Sequence, residues 1–169
     1  SSAFWSRLSW PRALQPAVAV VLGGLLALST PGVLGTGYGF VQQAMSAAPA
    51  NLPLWIILAM PAAKILATSL SIGSGGSGGI FGPGMVIGGL LGAGLWRLLE
   101  PFAPAVPLDP APFVIVSMMA LFGSVAHAPL AVMLMVAEMT DNLAMLAPAM
   151  IAIGIATLIV GDRTIYRSQ

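Results

Sequence analysis

Charge is what this sequence has least of. Only 7% of its 169 residues are Asp, Glu, Lys or Arg, six basic and five acidic, against about 25% in a soluble domain. With 58% apolar residues beside so little charge, the chain cannot cover a globular surface with polar groups. That excludes an ordinary soluble enzyme and a disordered segment. A net charge of +1 leaves no basic face, so nucleic acid is not a partner. Cysteine is absent, which removes disulfides, thiolate metal sites and thiol nucleophiles. His127 is the sole histidine, too little for a metal site. No metal, cofactor or catalytic group is expected.

Glycine and proline, by contrast, are plentiful, at 20 and 14, in a chain whose mean hydropathy is +0.98. A membrane-crossing helix takes ~20 apolar residues, so the length admits about five to seven crossings. The reading is one multi-pass membrane domain over residues 1–169, with the lipid bilayer as a partner. Residues 1–12 form an N-terminal flank with two arginines and two tryptophans, unlike a cleavable signal peptide. Residues 164–169 form a short tail. A start at Ser1 without methionine suggests a processed or truncated product. Arg7 and Arg12 at one end balance Arg163 and Arg167 at the other, so the positive-inside rule leaves orientation open.

Residues 13–63 are uncharged, yet Pro31-Gly32 and Gly35-Thr36-Gly37 interrupt them. The pattern predicts helices over about 13–29, 33–47, 53–71 and 83–99. A further one runs over 113–122 with a break at Gly123-Ser124, followed by 129–139 and 143–160. Many of these segments are too short to cross a bilayer alone. Irregular backbone at membrane depth is tolerated only where protein buries it or water wets it, so the sequence points to a cavity or pore. The fold class expected is all-α, of tilted and discontinuous helices.

The densest break is residues 73–84, which hold seven glycines. Glycine leaves no Cβ between backbone N–H groups and a ligand. A helix beginning at Phe81 to Pro83 would present N–H groups without intrahelical partners, at the positive end of its dipole. In a low dielectric this binds an anion without arginine, and weakly enough to let it leave. A close-packed helix–helix turn is the alternative reading of the same glycines. A phosphate loop is not, since no Gly-Lys-Ser/Thr follows.

Gly79-Ile80-Phe81-Gly82-Pro83 resembles the GxFxP motif of the CLC chloride channels and proton-coupled chloride transporters. Ala128-Pro129-Leu130-Ala131 with Glu138-Met139-Thr140-Asp141-Asn142 is similar to that family's "APLT…EMTDN" helix. Val33-Leu34-Gly35-Thr36-Gly37-Tyr38 resembles its "VLGGGY" segment. Ile165-Tyr166 sits where the family has its pore tyrosine. The matches fall in order from about Pro11 to Tyr166. The resemblance implies chloride held by the backbone N–H groups of Ile80 and Phe81 and by the Tyr166 hydroxyl, with Gly79, Gly82 and Pro83 supporting the motif. Many relatives have alanine at the position of Gly82, a mild difference. It also implies one inverted-repeat half of a CLC-type pore, the second. The first half, with its serine loop and its gating and proton glutamates, is then a missing partner on the same or a separate chain. No Gly-x-Glu-Gly-Pro occurs in the sequence. The implied function is chloride transport, by channel or antiporter, in a bacterial inner or plasma membrane. A homodimer through 128–140 and 143–160 is implied as well.

Other residues have two readings each. Tyr166 alone could be an interfacial anchor; with the resemblance it is expected as a chloride ligand. Lys64, the only charge between Arg12 and Arg97, is either functional or snorkels from near a helix end, and the second is expected. Glu138 is either a proton carrier or a structural carboxylate fixing the turn at Thr140-Asp141, and the second is expected. His127 is expected to hydrogen-bond between two broken segments. Gly75-Gly76-Ser77-Gly78 also fits the serine motif of rhomboid intramembrane proteases, with His127 as partner. There, however, the Trp-Arg pair precedes the serine, whereas Trp96-Arg97 follows it. A non-conducting structural subunit is a third class, its small and methionine side chains serving packing.

Overall fold

The computed structural model describes residues 14–30, 35–46, 53–75, 79–102 and 107–161. Seven α-helices follow one another among them: α1 (Gln15–Ser29), α2 (Tyr38–Met45), α3 (Leu54–Gly73), α4 (Phe81–Leu99), α5 (Ala111–Val125), α6 (Pro129–Thr140) and α7 (Leu146–Val160). A single 3₁₀ turn, Leu143–Met145, leads into α7. No strand occurs among the described residues. Prolines stand in the first turns of α1, α5 and α6, where the missing N–H costs nothing.

Three segments are long and apolar enough to cross a membrane: Leu54–Gly73, Phe81–Leu99 and Leu143–Val160. They differ in surroundings. Of the apolar stretch of α4, 56% is buried, against 22% for α3 and 11% for the last segment. The middle one is therefore the interior helix, and the other two present side chains outward to lipid or to further protein. Met85–Leu90 form a continuous buried run in α4. Met85, Val86 and Leu90 share one core with Val114, Ile115, Met118 and Met119 of α5 and with Ile57 and Met60 of α3.

Glycine sets how closely α4 and α5 approach. A Cβ on Gly84 would lie 2.4 Å from the Phe122 ring, one on Gly88 2.7 Å from the Ser117 carbonyl oxygen, and one on Gly92 2.4 Å from that of Phe113. These three glycines repeat every fourth residue and so share one face. Within lipid the hydrophobic effect does not draw helices together, and close van der Waals packing through small residues takes its place.

Several expectations are corrected. α2 covers Tyr38–Met45 rather than 33–47; residues 31–34 and 47–50 lie outside the described residues. Its start follows Gly37, whose φ of +81° favours glycine. The break expected at Gly123-Ser124 lies further on. Both residues are helical and buried, the Ser124 hydroxyl donates to the Leu121 carbonyl at 3.0 Å, and a Cβ on Gly123 would meet Ile153 at 3.2 Å. Glycine there is a packing device. The chain turns instead at His127, with φ +52°, just before Pro129 bars the preceding residue from helical geometry.

Glu138 does not fix the turn after α6 through its carboxylate. Backbone bonds close it: Asp141 N–H to the Glu138 carbonyl at 3.4 Å and Asn142 N–H to the Ala137 carbonyl at 3.1 Å. Asp141 is left-handed at φ +51°, so this is a Schellman closure, and the Glu138 side chain is exposed.

Candidate anion site at the start of α4

Two helix ends meet around the glycine-rich link. α3 finishes with the Ser74 hydroxyl donating to the Ser71 carbonyl at 2.8 Å and with Gly75 at φ +90°. The chain is described again from Gly79. Ile80 is the N-cap of α4, with helical φ −83° and ψ −23° and no side-chain cap. The first bond of the helix runs from Gly84 N–H to the Ile80 carbonyl at 3.0 Å. Among the described residues no acceptor meets the N–H groups of Ile80, Phe81 or Gly82, and Pro83 has none to offer. No acidic residue stands in the first turn. The result is a bare, partly positive helix end.

The space around it is open where the helix body is closed. A Cβ on Gly79 would meet nothing within 4 Å, and one on Gly82 only the Tyr38 hydroxyl oxygen at 3.9 Å. A cavity of about 420 Å³ reaches from Gly79 and Pro83 along α3 to Lys64 and Gly35. A second, of about 250 Å³, borders Ile80, Pro83 and Phe122. The Phe81 ring stands edge-to-face on Phe122 of α5, centroids 4.9 Å apart. With Gly84 backed against the same ring, α5 holds the first turn of α4 in place.

The structure thus brings Gly79, Ile80, Phe81, Gly82 and Pro83 together at one helix start. Tyr166 and Ser77 lie outside the described residues. His127 reaches past the two segments it was expected to join: its Nε2 is 3.2 Å from the Gly161 carbonyl oxygen, joining the α5–α6 turn to the end of α7. That contact engages a ring nitrogen a serine protease dyad would use. Among the described residues no cluster of three or more His, Asp or Glu could hold a metal.

Lys64 contradicts the snorkelling expectation. It sits midway along α3, is 2% exposed, and its Nζ donates to the Gly35 carbonyl at 2.6 Å. Sequence reasoning also gave Tyr38 no role. The signal available for both was the Gly35-Thr36-Gly37-Tyr38 run, a turn that needs a partner to hold it.

The sequence profile of the family described as voltage gated chloride channel matches residues 1–161. The chain is 34% identical over 148 residues to the "H(+)/Cl(-) exchange transporter ClcA" of Klebsiella pneumoniae subsp. pneumoniae, covering 86% of this chain and 31% of that protein. It is 34% identical over 146 residues to the protein of that name from Yersinia pestis bv. Antiqua, covering 85% and 30%. The chain therefore spans under a third of the length of these relatives. Its membrane-crossing helices, its all-helical fold and this match agree: the chain is a multi-pass membrane protein that belongs to the voltage gated chloride channel family.

Proposed function

We propose that this chain carries one half of a chloride pathway, with the anion bound at the start of α4 by the N–H groups of Ile80 and Phe81. The Tyr166 hydroxyl supplies a further hydrogen bond. One observation carries the reading: a helix otherwise deep in the bundle begins with N–H groups that meet no acceptor among the described residues, beside two cavities. Such donors replace part of the ion's hydration shell without a full charge that would trap it. His127 holds Gly161 against the α5–α6 turn, and Phe122 of α5 touches Phe81. These contacts tie the last described residue before Tyr166 to the helix that backs the start of α4.

The names of the relatives favour proton-coupled chloride exchange over a channel. The half-pore needs its first half to conduct, supplied by the same or another chain. Residues 128–140 and 143–160 carry exposed apolar side chains such as Leu130, Leu134, Ile151, Ile155 and Leu158, which suits a homodimer of whole pores. The chain acts as a transporter component with chloride as cargo and no cofactor. The direct test is chloride binding by calorimetry to the complete reconstituted pore. Tyr166→Ala is expected to weaken chloride and blur selectivity against other anions, and unchanged binding would remove Tyr166 from the site.

A further inference from the structure

Lys64 costs the fold a buried charge, and burying a charge is tolerated only with compensating partners. One partner is distant in sequence: the Gly35 carbonyl, 29 residues earlier. Gly35 and Gly37 are both left-handed, at φ +72° and +81°. That geometry is open to many conformations in glycine, so something outside the turn must select one. The ammonium does so from α3. Phe40 N–H then bonds the Gly37 carbonyl at 3.1 Å, and α2 starts at Tyr38.

Tyr38 is half-buried and packed against the core. Its hydroxyl oxygen would lie 3.9 Å from a methyl on Gly82, in the first turn of α4. Among the described residues that hydroxyl has no hydrogen-bond partner. Lys64, Gly35, Gly79 and Pro83 line one and the same cavity. From this arrangement we infer that Lys64 is a positioning residue for the anion site. By holding the Gly35 carbonyl it fixes the turn that sets the Tyr38 hydroxyl beside Gly82, and Tyr38 is a specificity-determining residue there. A phenol O–H is a neutral donor like the backbone N–H groups next to it, so it favours an anion able to accept one more short hydrogen bond. The inference rests on the reading of the α4 start as an anion site.

The test is a double-mutant cycle on the complete protein in lipid, read by chloride affinity and by chloride-over-nitrate selectivity. Tyr38→Phe is expected to weaken chloride about tenfold or more, the worth of one hydrogen bond to a charged group, and to lower the selectivity. Lys64→Met is expected to weaken it at least as much, and Lys64→Arg to restore it. Tyr38→Phe added to Lys64→Met should cost almost nothing more, because the hydroxyl is already misplaced. Additive losses, or a folded Lys64→Met protein with unchanged affinity and selectivity, would overturn the inference. If Lys64→Met does not fold, Tyr38→Phe decides alone, since it leaves the backbone untouched, and unchanged selectivity overturns the proposal. Ile80→Pro separates the two levels. If it leaves chloride binding intact, the site reading fails. If it weakens binding while the Lys64 and Tyr38 variants do not, only the positioning inference fails.

Discussion

The two ends of one glycine series in α4 and the link before it behave oppositely. At Gly75 and Gly79 an added Cβ would touch nothing within 4 Å, and at Gly82 only a hydroxyl at 3.9 Å. Within the next three turns, at Gly84, Gly88 and Gly92, it would strike a ring or a carbonyl at 2.4 to 2.7 Å. The same residue therefore serves two purposes. In the helix body it lets two backbones touch, which is how helices associate in lipid. At the helix start it keeps side chains away from backbone N–H groups. Glycine density alone cannot tell these apart; what stands opposite each glycine does.

The comparison breaks most visibly in the helix body. Gly92→Leu forces a branched side chain into the Phe113 carbonyl, and no folded, monodisperse protein is expected by size-exclusion chromatography. Gly92→Ala should still fold but lose about 1–3 kcal/mol, seen as a lowered thermal midpoint. Normal stability for both would show that α5 yields easily and that the ridge is not a packing device. At the other end the expected damage is to function alone. Ile80→Pro removes one donor at a φ of −83°, near what proline adopts. A hydrogen bond to a charged group is worth about 1.5–3 kcal/mol, so chloride affinity should fall about tenfold to a hundredfold with stability kept. The exposed apolar face proposed for pairing comes next: the chain has no cysteine, so Leu158→Cys introduces a single one in it. Oxidative cross-linking to a second copy is expected in membranes, and its absence would argue that this face meets lipid only. Smallest of all, Gly82→Ala should change affinity less than about threefold, because its methyl meets the Tyr38 hydroxyl at ordinary contact distance.

Much of this was legible in the sequence. Apolar runs bounded by proline and glycine gave the helices nearly to the residue, as at Gln15–Ser29 and Pro129–Thr140. The start of α4 was readable because Pro83 and the glycines before it mark a first turn locally. Two of the failures share a cause: each depends on a neighbour far along the chain. Gly123-Ser124 looks like a breaker until Ile153 is set against it. Lys64 looks like a snorkelling charge until Gly35 is brought to its side. Glu138 looked like the obvious turn-holder, but the carbonyls of Ala137 and Glu138 close that turn, a backbone solution that side-chain identity does not reveal.

The central claim is that backbone N–H groups at the start of α4 bind the anion. Isothermal titration of chloride into the purified complete protein, wild type against Ile80→Pro, tests it most directly. The account predicts an affinity lower by about tenfold or more in the variant, at an unchanged thermal midpoint without chloride. Equal affinities for the two folded proteins would contradict it.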